Sequence, residues 1–222
     1  MKKFSKILSS MAVMLMLTGT VDAADISLPA PNISHSKMVA EMLNERHSSR
    51  DLYGSISQEK LSNILWAANG ITARHNAKGH VNPAALGIYS VDVYAVTADG
   101  IYLYKPEKHA LELVQKGDYR ATTTTGQEFA KNAPLNLVYV ENSSVWKNSS
   151  HPVDKESQLK FAYIAAGAMT QSVALMATSE DLGNCVRGSI DEKAFAKAAK
   201  LSANQKILLA QSVGESDNVV KG

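Results

Sequence analysis

The residues with the clearest capacity for chemistry lie in one short segment, Glu45-Arg46-His47-Ser48-Ser49-Arg50. Two guanidiniums can each give forked hydrogen bonds to a phosphate, and the hydroxyls of Ser48 and Ser49 are short donors that approach an oxyanion closely. This combination predicts an anion-binding site. The alternative is a basic helix end that contacts its own carbonyls and water.

Other patterns that suggest chemistry are incomplete. Residues 183–189 have the spacing of a phosphate loop but lack the lysine that such a loop needs, so nucleotide hydrolysis is excluded. The six histidines are scattered without the spacing of metal ligands, and we expect no metal site. The chain has no Gly-x-Ser-x-Gly sequence, which excludes that type of serine hydrolase. Cys185 is the only cysteine and is interpreted as a packing residue.

The elements that would position the 45–50 segment are helices mixed with strands, without strict alternation. This order favours a layered α+β fold over a doubly wound one. Ser34, Ser57 and Asp191 are expected helix caps, and residues 72–82 read as a polar, mobile loop. The helix expected after Ser34 has Met38, Val39, Met42 and Leu43 on one face, which we interpret as core.

The remaining predicted elements are a hairpin from 88–96 to 101–104, a short helix over 127–132, a strand over 135–140, a long helix over 155–181, a helix from Asp191 to Lys200 and a strand over 206–213.

The N-terminus has the pattern of a secretory leader. Lys2, Lys3 and Lys6 precede a short apolar run, and Val21-Asp22-Ala23 offers small residues for cleavage, so residues 1–23 are predicted to be a signal peptide. An uncleaved anchor is the alternative. The mature chain is then expected to be exported to the periplasm or secreted, without a stable membrane anchor.

Residues 24–33, with two prolines, are expected to form an extended arm, and residues 34–222 a single domain. The formal net charge of +2 gives no sign of nucleic-acid binding. With one cysteine, the domain has no internal disulfide, so its stability after export depends on packing or oligomerisation.

Six segments in order resemble the FMN-dependent nitroreductase family. They are RHSSR with LSNILWAANGI, HVNPAALGIYSVDVYAV, DGIYLYKPEKHALELVQKGDYR, LNLVYV, AAGAMTQSVALMATSEDLG and CVRGSID. The resemblance covers most of the chain after the leader. It implies a layered fold with a mixed, mainly antiparallel sheet flanked by helices, and a homodimer that binds FMN at its interface.

The resemblance also implies roles for individual residues. Arg46, His47, Ser48 and Arg50 would hold the FMN phosphate and ribityl chain, and Pro83, Ala84 and Ala85 would lie against the flavin of the partner subunit. Arg187 and Gly188 would be the catalytic positions, with backbone amides at the reactive edge of the flavin. Residues 159–177 would form the two-fold interface through Phe161, Ala165, Ala168 and Ser172.

Three positions depart from the family pattern: Ala84 stands where Ser is usual, Gly87 where Asn is usual, and Ser172 where Asn is common. Each replaces a residue that offers a polar side-chain contact to the family's cofactor site.

By this resemblance the protein is an exported oxidoreductase. Its flavin would take a hydride, with NAD(P)H as a possible donor, and reduce a nitro compound, a quinone or another small acceptor. The alternatives are an azoline-type dehydrogenase or a dehalogenase on the same fold, or a flavin- or ligand-binding protein without catalysis.

Overall fold

A seven-stranded sheet organises the chain in the computed structural model, which describes residues 24–34, 37–74 and 77–219. The strands are β1 (Ile26–Ser27), β2 (Ile71–Arg74), β3 (Ala77–His80), β4 (Val91–Val96), β5 (Gly100–Lys105), β6 (Ala110–Lys116), β7 (Leu135–Asn142), β8 (Gly183–Arg187) and β9 (Gln205–Gly214). The helices are α1 (Val39–Glu45), α2 (Gln58–Asn69), α3 (Glu128–Asn132), α4 (Lys155–Ser179) and α5 (Glu192–Ala198).

The strand order in the large sheet is β1-β6-β5-β4-β7-β9-β8, and β2 pairs with β3 in a separate hairpin. All pairings between these named strands are antiparallel. The predicted α+β fold with a mainly antiparallel sheet and flanking helices is therefore confirmed. The signal peptide predicted at 1–23 lies outside the described residues.

Helices α2 and α4 cover one face of the sheet. Ser57 Oγ accepts a hydrogen bond from Lys60 N, as expected for the cap of α2, and Asp154 caps α4 in the same way. Alanines and Met169 of α4 pack on β4, β7 and β9, so this helix is the central element of the larger core. By length and composition alone α4 could also span a membrane, but half of its most apolar window is buried in the fold.

The opposite face of the sheet packs against α5. Phe195 is fully buried there, with its ring edge-on to Tyr94 at 6.0 Å. Asp191 accepts a hydrogen bond from Ala194 N and caps α5, as the sequence predicts. This second core packs on the face of β7 and β9 opposite to α4. It thereby supports β8, which pairs with β9.

The expectation for the first helix was wrong. Helix α1 begins at Val39, and Met38 N donates to Glu41 Oε2 at 2.8 Å, so a carboxylate and not Ser34 occupies the N-terminus of the helix. Met38, Val39 and Leu43 are 65%, 61% and 53% exposed. The apolar face of α1 is therefore not part of the core of this chain.

The interface residues predicted on α4 also do not face outward together. Ala165 is buried in the chain's own core, and Ser172 Oγ donates to Asn82 Oδ1. The outward apolar residues of α4 are Tyr163 and Ile164, at 42% and 62% exposure. At least two of the four predicted interface residues of α4 therefore contact the fold of their own chain.

The segment predicted as a loop at 72–82 contains most of the β2–β3 hairpin. Ile71 pairs with His80 and Thr72 with Gly79, and Thr72 Oγ1 donates to Gly79 O. Two further strands were missed: β6 continues the sheet after Pro106, and β8 occupies residues that were expected to be loop. In these segments the backbone N–H and C=O groups are satisfied by strand pairing. The polar side chains of the sequence do not reveal that pairing.

The N-terminal arm is docked through a half-buried histidine. Ser62 Oγ donates to Pro29 O at 2.7 Å, so it accepts from His109 Nε2, also at 2.7 Å, and Tyr104 OH donates to His109 Nδ1 at 2.8 Å. Tyr104 OH donates to Nδ1 when His109 is neutral, and each donor in this chain of hydrogen bonds then has an acceptor. Burial also lowers the pKa of His109.

We predict that His109→Asn lowers the free energy of unfolding at pH 7.5 by about 1–3 kcal/mol, because two buried hydrogen bonds are weakened or lost. His109 has a φ of 45°, which Asn tolerates. Because the folded pKa lies below the ordinary value, His109 contributes its stability above about pH 6.5 and loses it as the pH falls further. Urea unfolding at pH 7.5 and 5 should therefore show a weaker pH dependence in the variant. The exposed His151→Asn is the control, and an unchanged pH dependence in His109→Asn would contradict the assignment.

Candidate functional site

The Arg46–Arg50 segment lies along the outer edge of β8. Ser49 N donates to Asn184 O at 2.9 Å, and Ser48 forms a parallel bridge with Asn184. The approach is close, because a Cβ on Gly183 would lie 2.9 Å from Ser49 Cβ. A glycine at this position lets the segment reach the strand.

The two arginines of this segment have no partner among the described residues. Arg46 is half-buried and Arg50 exposed, and neither makes an ion pair or a side-chain hydrogen bond with the described residues. His47 Nδ1 lies 3.0 Å from Glu45 O, which orients the ring, and Ser49 is buried while Ser48 is exposed. The structure thus presents two free guanidiniums and one free hydroxyl, the donor set that an anion such as phosphate requires.

The other end of β8 presents a backbone amide. In an antiparallel pair the residues alternate between facing the partner strand and facing away. Asn184 O faces away from β9, since it accepts from Ser49, so Val186 faces away too. The amide of Gly188, one residue past the strand and about 13 Å from Asn184, is the next outward position in this alternation, and it makes no hydrogen bond with the described residues.

Arg187 has the opposite orientation. Its backbone faces β9, opposite Ala210, and its side chain is 3% exposed. This geometry favours Gly188 over Arg187 as the donor of an outward amide. A Cβ on Gly188 would meet no atom within 4 Å, so the space around it is open.

The Arg187 guanidinium is held by neutral acceptors. Its hydrogen bonds run to Thr123 O at 2.7 Å, Asn136 Oδ1 at 2.9 Å and Ser212 Oγ at 3.0 Å, with Ser189 O at 3.5 Å. Burial lowers the pKa of Arg187 to about 10, so the side chain stays charged at neutral pH. These contacts tie β7, β8 and β9 to the turn after β8.

Residues Pro83–Ala85 lie elsewhere in the same chain. Asn82 Nδ2 donates to Ala67 O and Ala68 O, and Asn82 Oδ1 accepts from Ser172, so the segment is anchored to α2 and α4. It leads into β4, which is three strands from β8, or about 14 Å across the sheet. No hydrogen bond in the described part of the chain joins this segment to residues 46–50 or 187–188.

Several residues of the site were missed by sequence reasoning. Asn82 and the acceptors of Arg187, Asn136 and Ser212, are fully or almost fully buried. Asn136 interrupts the apolar run Leu135–Val140 and Ser212 interrupts the last strand, and a polar residue inside a buried strand is the signal that could have identified them. Among the described residues, no three His, Cys, Asp or Glu side chains are close enough to hold a metal ion.

The edge of β8 thus combines two guanidiniums near its start with a glycine amide just past its end, on a layered α+β scaffold. The sequence profile of the nitroreductase family matches residues 43–215. This match covers most of the chain, and the protein belongs to the nitroreductase family.

Individual relatives agree with this assignment. A protein of Methanocaldococcus jannaschii, provisionally named a nitroreductase, is 27% identical over 198 residues, which cover 85% of this chain and 96% of that one. The crystal structure of a protein from Ralstonia eutropha JMP134, with the same provisional name, is 31% identical with a TM-score of 0.79, covering 88% of this chain and 91% of the other.

A more distant structure carries a cofactor. The crystal structure of a nitroreductase-like protein from Desulfovibrio desulfuricans, in complex with FMN, has a TM-score of 0.58 and 19% identity, covering 84% of this chain and 91% of the other. At this identity the likeness is one of fold. Membership of the nitroreductase family, and not this distant likeness, makes the protein an oxidoreductase of the FMN-dependent type.

We predict that Gly183→Ala lowers the free energy of unfolding by about 1–3 kcal/mol, as overpacking of a tight contact does. The new Cβ would lie 2.6 Å from Ser216 Cβ and 2.9 Å from Ser49 Cβ, which forces the Arg46–Arg50 segment away from β8. The matched control is Gly188→Ala, at the other end of the strand in open space. Urea titration of both variants measures the difference, and equal stabilities would contradict the close docking of the segment.

Proposed function

We propose that this protein binds FMN along the outer edge of β8 and acts as an exported oxidoreductase of the nitroreductase type. The observation that carries the proposal is the pairing of two unpartnered guanidiniums at the start of the strand with an outward amide at its end. A ligand with a phosphate, a flexible linker and a flat ring fits this spacing. The anion donors present are those that the FMN phosphate requires.

Each part of the chain has a distinct role in this proposal. Arg46 and Arg50 bind the phosphate, Ser48 donates to a phosphate or ribityl oxygen, and Gly188 donates its amide to the edge of the ring. When bound, the flavin supplies the redox chemistry, accepting two electrons from a donor such as NAD(P)H and passing them to a nitro compound, a quinone or a related acceptor. The protein then needs no catalytic acid or base, and the side chains assigned to the site along β8 are donors of hydrogen bonds.

The leader at residues 1–23 supports export, because a charged start, an apolar run and small residues before Ala24 form a secretory signal. NAD(P)H is scarce outside the cytoplasm. The electron donor of an exported enzyme is therefore either NAD(P)H or another reductant.

A homodimer would complete the site. Pro83, Ala84 and Ala85 lead into β4, which is three strands from β8 in the same chain, and this separation supports their placement against the flavin of a partner subunit. Outward apolar residues support association: Met38, Val39 and Leu43 on α1, and Tyr163 and Ile164 on α4. A two-fold contact would bury these faces.

We predict that Arg46→Ala and Arg50→Ala each weaken FMN binding by about 1.5–3 kcal/mol, the usual contribution of a hydrogen bond to a charged group. Riboflavin has no phosphate, so its affinity should change much less in both variants. Fluorescence titration of the apoprotein measures both ligands, with the exposed Lys193→Ala on α5 as the control. Equal losses for FMN and riboflavin would remove the phosphate assignment.

We predict that Ile164→Asp converts a dimer into a monomer and weakens FMN binding in parallel, because it places a charge in an apolar interface. Val145 is also an exposed apolar residue but belongs to neither α1 nor α4, so Val145→Asp is the matched control. Light scattering of the purified proteins gives the mass. A wild-type protein that is a flavin-loaded monomer would overturn the dimer and the role of residues 83–85.

The function is tested by the visible spectrum. The purified protein reconstituted with FMN should be bleached anaerobically by NADH or NADPH and should regain its colour when a nitroaromatic compound or a quinone is added. Bleaching by dithionite alone would leave a flavoprotein with another donor or a flavin-binding protein without this activity. Failure to retain FMN after reconstitution would overturn the proposal.

A further inference from the structure

The guanidinium of Arg187 is buried without an opposite charge. Its partners are two backbone carbonyls, an amide oxygen and two hydroxyls, contributed by Thr123, Asn136, Ser189 and Ser212. Within the described residues it forms no ion pair with a carboxylate. One full positive charge therefore lies inside the fold, next to the turn at the end of β8.

A structural role alone does not require this charge. Desolvation of an ion is costly, and well-packed neutral side chains often replace buried ions without loss of stability. Neutral acceptors in the surroundings offset only part of that cost. The buried charge of Arg187 therefore lowers the stability of the fold relative to a neutral side chain. Such a cost is expected where a charge serves function.

The position of the charge is defined by its contacts. Nη1 reaches Thr123 O at 2.7 Å and lies 3.5 Å from Ser189 O, on the far side of Gly188 in sequence. Ser189 is held in turn, because its hydroxyl donates to Thr125 O at 3.0 Å. The guanidinium therefore lies directly behind the turn that carries the outward amide of Gly188.

We propose that the Arg187 side chain is a positioning residue that raises the reduction potential of the bound flavin, by placing an uncompensated positive charge behind the Gly188 amide. The inference rests on the proposed function. A flavin ring gains negative charge as it takes electrons, and a fixed cation in a region of low dielectric favours that state more than it would in water. The hydrogen bonds of the guanidinium also fix the direction of the amide.

The competing explanation is that Arg187 only holds the turn in place. The two explanations differ in what they require of the side chain. The electrostatic role requires the charge, whereas the purely structural role requires the forked hydrogen bonds. Variants that separate charge from hydrogen bonding therefore distinguish them.

The experiment compares five forms of the full mature protein reconstituted with FMN: the wild type, Arg187→Met, Arg187→Lys, Ser212→Ala and Asn136→Asp. The midpoint potential of the flavin is measured by equilibration with reference dyes, and FMN affinity and urea unfolding are measured alongside. Arg187→Met removes the charge, and Arg187→Lys keeps it without the fork. Ser212→Ala removes one hydrogen bond only. Asn136→Asp keeps Arg187 and adds a negative charge at the atom that now accepts from Nη2.

The expected result is a lower midpoint potential in Arg187→Met and in Asn136→Asp, with potentials near the wild-type value in Arg187→Lys and Ser212→Ala. If Arg187→Met does not fold, Asn136→Asp still tests the effect of the charge. Equal potentials in all the flavin-loaded forms, or equal decreases in Arg187→Lys and Arg187→Met, would overturn this inference alone. A wild-type protein that does not bind FMN would overturn the proposed function and the inference with it.

Discussion

The rest of the site depends on the outer edge of β8. An edge strand exposes unpaired backbone groups that must be covered or used. Here the bond from Ser49 N to Asn184 O covers the first part of the edge. The same bond fixes which backbone groups of β8 face outward, and it thereby brings an anion-binding segment and an available amide onto one edge.

Buried polar side chains on both faces of the sheet hold β8 in register. On the α4 face, Gln211 Nε2 donates to Asn184 Oδ1 and Thr170 O. On the other face, Arg187 binds Asn136 and Ser212. A slip of β8 by one residue would turn Asn184 and Arg187 to the opposite faces of the sheet. Both polar side chains would then be buried without hydrogen-bond partners, which costs more free energy than misplacing apolar residues. The slip would also turn the Gly188 amide toward β9.

The sequence predicted those parts of the fold that depend on local interactions. Ser57 and Asp191 cap their helices as expected, since a cap is recognised within four residues of chain, and the long apolar helix and the β4–β5 hairpin follow from periodicity. The concentration of anion donors in residues 46–50 was recognisable from residue types alone. Its location beside β8 was not, because the contact between Ser49 and Asn184 joins residues far apart in sequence.

The failures have physical causes of the same kind. Periodicity shows that α1 has an apolar face but not that this face lies outside the core of its own chain. The polar residues at 72–82 suggested a loop, although paired backbone groups make most of them a hairpin. From the sequence, Arg187 was assigned a role through its backbone amide. Only the surroundings of its side chain in the structure show that the guanidinium is a buried cation.

The positive charges of the site fall into two environments with different physical consequences. Arg46 is half-buried and Arg50 exposed, so water and salt reach both and a bound anion can neutralise them at little cost. Arg187 lies behind the strand, where screening is weak and its hydrogen bonds are permanent. In the proposed complex, Arg46 and Arg50 would set how tightly the phosphate is held, while Arg187 would act on the charge that develops at the other end of the ligand. The five residues of β8 separate the two environments, so affinity and reduction potential would depend on different side chains held by one strand.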